Sequence, residues 1–129
     1  MATIVRFEDL DIWKEARSLS CEIIQIVNVT ELKGDYKLRD QIKGSSGSVM
    51  DNIAEGFERD GNLEFRQFLS VAKGSAGETR SQIYRVYDSG YISEKEMIRL
   101  TVEYEKLSRR IANFITYLNK KDFKGIKFK

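Results

Sequence analysis

From Asn62 to Val86 the chain reads NLEFRQFLSVAKGSAGETRSQIYRV, and this run decides the fold. Phe65, Leu69, Ala72, Ala76, Thr79, Ile83 and Val86 recur at alternating spacings of four and three without a break. Residues so spaced share one stripe of an α-helix with a repeat of ~3.5 residues, the seam of a helix packed at a shallow angle on its neighbours. A half-buried strand would need alternation in twos. Asn62 is the expected cap at the start of this helix, and Gly90 its expected stop.

Three further stretches keep the same rhythm. Upstream, Leu38, Ile42, Val49, Ile53 and Phe57 mark a helix over about 35–59. Before it, Ile12, Ala16, Leu19, Ile23 and Ile26 mark one over about 9–28, with Leu10, Trp13 and Val27 beside the stripe and Asp9 or Asp11 as its cap. Downstream, Ser93 and Glu96 have the spacing of a capping box. They open a helix over about 94–119 that carries Met97, Leu100, Tyr104, Leu107, Ile111, Phe114 and Leu118. With the central helix at about 62–89, the connections at 60–62 and 90–93 are short enough to force neighbouring helices to run antiparallel. The expected fold is all-α: a left-handed, up-down-up-down four-helix bundle forming one domain over 1–129, with a basic tail at 120–129. The second helix holds Gly44-Ser-Ser-Gly-Ser48 at its middle and the third holds Gly74-Ser-Ala-Gly77. Interior glycines each cost about 0.5–1 kcal/mol relative to alanine, so the two slim segments are expected to press against each other.

The 129 residues suit a single core, and 41% hydrophobic with 33% charged content fits a folded chain rather than a disordered one. There is no histidine, no proline and one cysteine, Cys21. Histidine-dependent catalytic relays, haem and di-iron sites with imidazole ligands, intrachain disulfides and multi-cysteine zinc sites are therefore excluded. No metal and no cofactor are expected. Arg6, Glu8, Asp9, Asp11 and Lys14 interrupt the first twenty residues, and no apolar run is long enough for a span, so a cytoplasmic chain without membrane contact is expected. Net charge is +2, but residues 120–129 carry five lysines against one aspartate, a net of +4, leaving −2 for the remainder.

Two constellations carry candidate function. On the third helix Arg66, Lys73 and Arg80 follow one another at heptad spacing, with Arg59 extending the row upstream and Tyr84 and Tyr87 continuing it. Cations interleaved with rings can hold phosphates and stack bases. Ordinary solvation of a helix flank, or pairing with acidic residues of another subunit, would select the same residue types. Lys120, Lys121 and Lys124, interleaved further on with Phe123, Ile126 and Phe128, form either a nucleic-acid arm or a tail docked on the bundle. On the second helix Ser45, Ser48, Asn52 and Glu55 lie on one polar line. A carboxylate and an amide one turn apart can act as general base and orienting group, but no partner acid accompanies them. A helix-interface role, with Ser75 opposite, is the favoured reading, and no catalysis is expected. The aromatic residues Phe57, Phe65, Phe68, Tyr84, Tyr87, Tyr91 and Tyr104 exceed what four interior seams need, which points to self-association.

The runs Ser48-Val-Met-Asp-Asn52-Ile-Ala-Glu55-Gly56-Phe57-Glu-Arg59 and Glu64-Phe-Arg-Gln-Phe68-Leu-Ser-Val-Ala-Lys-Gly74-Ser75-Ala-Gly-Glu78 carry a family resemblance, as does the opening Phe7-Glu-Asp-Leu10-Asp-Ile-Trp13-Lys-Glu-Ala16. Together they resemble the four-helix-bundle proteins encoded by intervening sequences in bacterial 23S ribosomal RNA genes, which are similar to the accessory variability determinants of diversity-generating retroelements. The resemblance runs from Phe7 to about Leu118. It implies a homo-oligomeric ring, typically a pentamer, without catalytic activity, and in the retroelement branch partners that include RNA or DNA and a reverse transcriptase. Met50 stands where many members carry a helix-kinking proline. The retroelement proteins are markedly more basic than a chain of net +2, which weighs against strong nucleic-acid binding and favours the intervening-sequence branch. The expected function, drawn from the basic helix edge, is binding of RNA or a ribonucleoprotein partner. The alternative is a structural or protein-binding adaptor, for example a reverse-transcriptase accessory protein.

Overall fold

The computed structural model describes residues 4–121. Four helices account for most of them: α1 (Asp11–Val29), α2 (Tyr36–Glu58), α3 (Asn62–Asp88) and α4 (Glu94–Asn119). Among the described residues there is no strand. All seven stripe residues of α3 are buried, as are all five of α2 and, on α4, Leu100, Tyr104, Leu107, Ile111 and Leu118. These residues form one continuous core with Ile12, Ala16, Leu19, Ile23 and Val27 of α1. The all-α four-helix bundle is thus the fold. The contacts also fix helix direction. Ser48 meets Ser75 and Ser45 meets Thr79 across α2 and α3. Arg80 meets Glu105 and Arg66 meets Asn119 across α3 and α4, and Glu15 meets Arg110 and Glu22 meets Arg99 across α1 and α4. In each pair of helices one number rises as the other falls, so every neighbour is antiparallel.

The ends of the helices follow local chemistry, with two corrections. Ser93 Oγ accepts from the Glu96 N–H at 3.1 Å, and Asp35 caps α2 through the Leu38 N–H at 3.4 Å. Gly90, at φ +84°, closes α3: its N–H donates to Tyr87 O at 2.8 Å and the Tyr91 N–H to Val86 O at 3.2 Å. This pair of bonds is the Schellman arrangement, which needs a left-handed residue at this position. The expected aspartate cap on α1 is absent. Leu10 stands at the N-cap without a side-chain bond, following a 3₁₀ turn at Phe7–Asp9. Burying Leu10 and packing Phe7 edge-on against Trp13, at 5.2 Å between centroids, outweighs the ~1 kcal/mol of a cap. Asn62 is likewise not the cap of α3, since Gly61 occupies that place. The buried Asn62 amide instead donates to Leu118 O at 3.0 Å and Lys121 O at 3.2 Å, tying the start of α3 to the end of α4.

The slim segments do meet, but through their serines. A methyl group added at Gly44, Gly47, Gly74 or Gly77 would find nothing within 4 Å. These four glycines face outward. The close approach is at Gly56, where an added Cβ would lie 2.6 Å from Phe68 Cβ and 3.0 Å from Phe65 Cδ1.

Candidate nucleic-acid interface

A helix brings residues seven apart back to nearly the same azimuth, so Arg66, Lys73 and Arg80 line the flank of α3 that turns toward α4. Their surroundings differ. Arg66 is half-buried: its Nε donates to Asn62 Oδ1 at 2.7 Å and its guanidinium also reaches Asn119 Oδ1. It lashes the start of α3 to the end of α4. Lys73 is exposed and, among the described residues, has no ion-pair partner. Arg80 approaches Glu105 of α4 at 3.8 Å, and Arg109 approaches the same Glu105 oxygen from the other side, also at 3.8 Å. Both contacts are long and solvent-exposed, so phosphate can replace either at little cost.

Extending the register set by Arg80–Glu105 and Arg66–Asn119, Lys73 lies across from Ala112, with Arg109 one turn along α4. The charged residues that the heptad positions place on this face are Arg66, Lys73 and Arg80 of α3 and Glu105 and Arg109 of α4. At one end the face becomes apolar. Tyr84, Ile98 and Val102 are 47%, 51% and 41% exposed and line an open groove with Arg80, Thr101 and Glu105.

The remaining expected contact residues fall elsewhere. Arg59 does not extend the row: at the end of α2 it pairs with Glu55 at 2.8 Å and Glu64 at 3.9 Å and stacks over Phe68. Its bond to Glu55 pushes its pKa further up. Tyr87 is half-buried at the edge of the seam. Tyr91 donates to Asp35 Oδ2 at 2.9 Å, a bond that raises its pKa and removes it from any stacking surface. The backbone of Lys120 closes α4, and Lys121 Nζ sits 5.3 Å from the Tyr117 ring centroid. Lys124, with Phe123, Ile126 and Phe128, lies outside the described residues.

The polar line of α2 is an internal fastening. Thr79 Oγ1 donates to Ser45 Oγ at 2.8 Å, and Ser45 donates to Gln82 Oε1 at 2.5 Å, all three residues buried. Ser48 and Ser75 hydroxyls share a bond at 3.0 Å, and the Asn52 amide donates to Ser48 O and Ser48 Oγ at 2.8 Å. Glu55 is not part of this line, being exposed and paired with Arg59 one turn on. Asn52 and Glu55 therefore do not converge on a common point. The α1–α4 groove is also charged, but its Glu15 and Glu22 are spent on Arg110 and Arg99. The Glu22 bond raises the Arg99 pKa, and the Glu15 bond that of Arg110.

Sequence reasoning missed Glu105, Arg109, Ile98 and Val102. Ile98 and Val102 are apolar residues off the α4 stripe, the one local sign that this flank is more than a solvated surface.

Comparison with known proteins adds two observations. A family model described as 23S rRNA-intervening sequence protein matches residues 8–113. The crystal structure of a Bacteroides thetaiotaomicron VPI-5482 protein of unknown function, from the S23 ribosomal protein family, superimposes with a TM-score of 0.72. The match covers 81% of this chain and 97% of that one at 18% identity, a likeness of fold alone. No curated protein matches the chain in sequence.

Proposed function

The chain belongs to the 23S rRNA-intervening sequence protein family, and on that footing we propose that it is a non-enzymatic, self-associating bundle that binds RNA, or the RNA of a ribonucleoprotein, through the α3–α4 face. One observation carries the reading: Arg66, Lys73, Arg80 and Arg109 share that face with a single carboxylate, in a chain whose net charge is only +2. Cations gathered on one face of a nearly neutral protein form a local anion site rather than a general attraction to polyanions. The test is ionic strength. Log K for an rRNA fragment should fall linearly with log salt, by about 0.7–0.9 per phosphate neutralised, and replacing Lys73 and Arg80 by alanine should flatten that slope. No binding at low salt would end the proposal.

Self-association is a second reading, with a separate support. Val71 and Ile24 are 52% and 42% exposed on flanks away from the α3–α4 face. The outward glycines are equally unexplained by packing within one chain. We take a homo-oligomer, of pentameric size by family resemblance, as the working assembly. Light scattering measures its mass directly; a monomer at micromolar concentration would contradict it. If Lys73→Ala with Arg80→Ala dissolves the oligomer instead of weakening RNA binding, the basic edge is a subunit contact and the adaptor reading replaces the first one. A reverse transcriptase would then be among the partners to test.

A further inference from the structure

Resting on the RNA-binding reading above, we infer that the α3–α4 face takes an unpaired strand, whose phosphates gather at Lys73 and one of whose bases leaves the strand's own stack to lie on Tyr84 between Ile98 and Val102. The cationic row does not stop at solvent; it runs into an open groove in which three exposed apolar side chains sit beside Arg80 and Glu105. Lys73 and Tyr84 are eleven residues apart on one helix, about 16 Å along its axis, so both ends of the face can be occupied by one short strand.

The distribution of charge fixes the polarity of that occupancy. Glu105 lies beside the apolar end, held between Arg80 and Arg109 at 3.8 Å from each. A phosphate placed there would meet a carboxylate, whereas at Lys73 it meets an ammonium with no competing acid. The backbone of the nucleic acid is therefore favoured at the Lys73 end and a base at the Tyr84 end. A duplex cannot satisfy both. Its bases are stacked and its grooves offer edges, so an aromatic face and two aliphatic side chains gain nothing from it. An unstacked base has a free π-face for Tyr84 and apolar surface for Ile98 and Val102. No 2′-hydroxyl contact is invoked, so single-stranded DNA satisfies the same chemistry.

The test compares a short unstructured RNA, the same sequence as DNA, and an RNA hairpin of equal length, titrated against the intact protein and two variants. The unstructured RNA should bind more tightly than the hairpin, and DNA binding alongside it agrees with the inference. Tyr84→Ala should weaken strand binding about tenfold while leaving the salt slope unchanged, because stacking releases no counterions. Tyr84→Phe should restore it. Tyr84 is exposed, so both variants should keep the helical content of the parent. Equal affinity for strand and hairpin with no effect of Tyr84→Ala would overturn this inference and leave the Lys73 reading standing. Loss of oligomer mass in Tyr84→Ala would also overturn it, by making the patch a subunit contact. Absence of all binding would remove the underlying reading as well.

Discussion

Gly56 and Tyr104 show how much can depend on a single side-chain atom. An alanine at Gly56 must push Phe68 at its Cβ, which cannot move without the α3 backbone, so Gly56→Ala should cost about 2 kcal/mol. Gly44→Ala, on an open helix face, should instead gain about 0.5–1 kcal/mol. Urea denaturation of the two variants gives both signs in one experiment; equal effects would contradict the packing described. Tyr104 is fully buried and its hydroxyl has no hydrogen-bond partner among the described residues. Burial, with a smaller contribution from Glu22, raises its pKa above the ordinary 10.0. The unfolded chain thus releases this proton near pH 10 while the folded chain retains it. Tyr104 should make stability fall above pH 10, by about 1.4 kcal/mol per pH unit, and Tyr104→Phe should remove that share of the fall, leaving the part due to Tyr91. The same substitution should raise stability near neutrality by about 1 kcal/mol, since an unpaired buried hydroxyl is removed. A loss of stability in Tyr104→Phe would mean that the hydroxyl has a partner after all.

Among the elements, the α2–α3 hairpin is the most specified. Ser45, Thr79 and Gln82 exchange their bonds in the core; Ser45→Ala leaves the buried Gln82 Oε1 without its donor, while Thr79 keeps Ser75 O at 2.9 Å, and should cost about 1–3 kcal/mol. Gly90→Ala should cost a further, independent 1–2 kcal/mol, because φ of +84° is strained for any residue with a Cβ. Chemical denaturation of the single and double variants should show the two costs adding, as they do for separated sites. The heptad rhythm of Phe65 to Val86 made these elements legible because burial follows azimuth, and azimuth follows residue number. The same ruler, applied to the glycines, places Gly56 on the stripe three residues after Ile53 and puts Gly44 and Gly74 two residues past Ile42 and Ala72, facing away. The composition of the slim segments had suggested the opposite. The fate of Arg66 was only half legible. Asn62, one turn before it, takes one of its bonds, but the partner that ties it to α4, Asn119, is 53 residues distant, and nothing in the local sequence points to it. The cap of α1 was misread because a buried Leu10 competes with a capping aspartate, a competition that only the packed core decides.

At the scale of the whole molecule, charge is sorted by face. The α1–α4 groove sets Glu15, Glu22 and Glu103 against Arg99, Lys106 and Arg110, and its ion pairs hold α1 in place. The α3–α4 face has cations in excess and an apolar end. Among the described residues no helix is long and apolar enough to cross a membrane, and no group of three or more histidine, cysteine or acidic side chains could hold a metal. The faces differ enough for a partner's choice between them to be measured. Backbone amide chemical-shift changes, recorded residue by residue as an unpaired RNA is titrated into the protein, locate that surface directly. The largest changes should fall at Lys73, Gly77, Arg80 and Tyr84 on α3 and at Val102 and Arg109 on α4, with α1 unmoved. Changes centred on α1 and α2, or none at saturating RNA, would contradict the account.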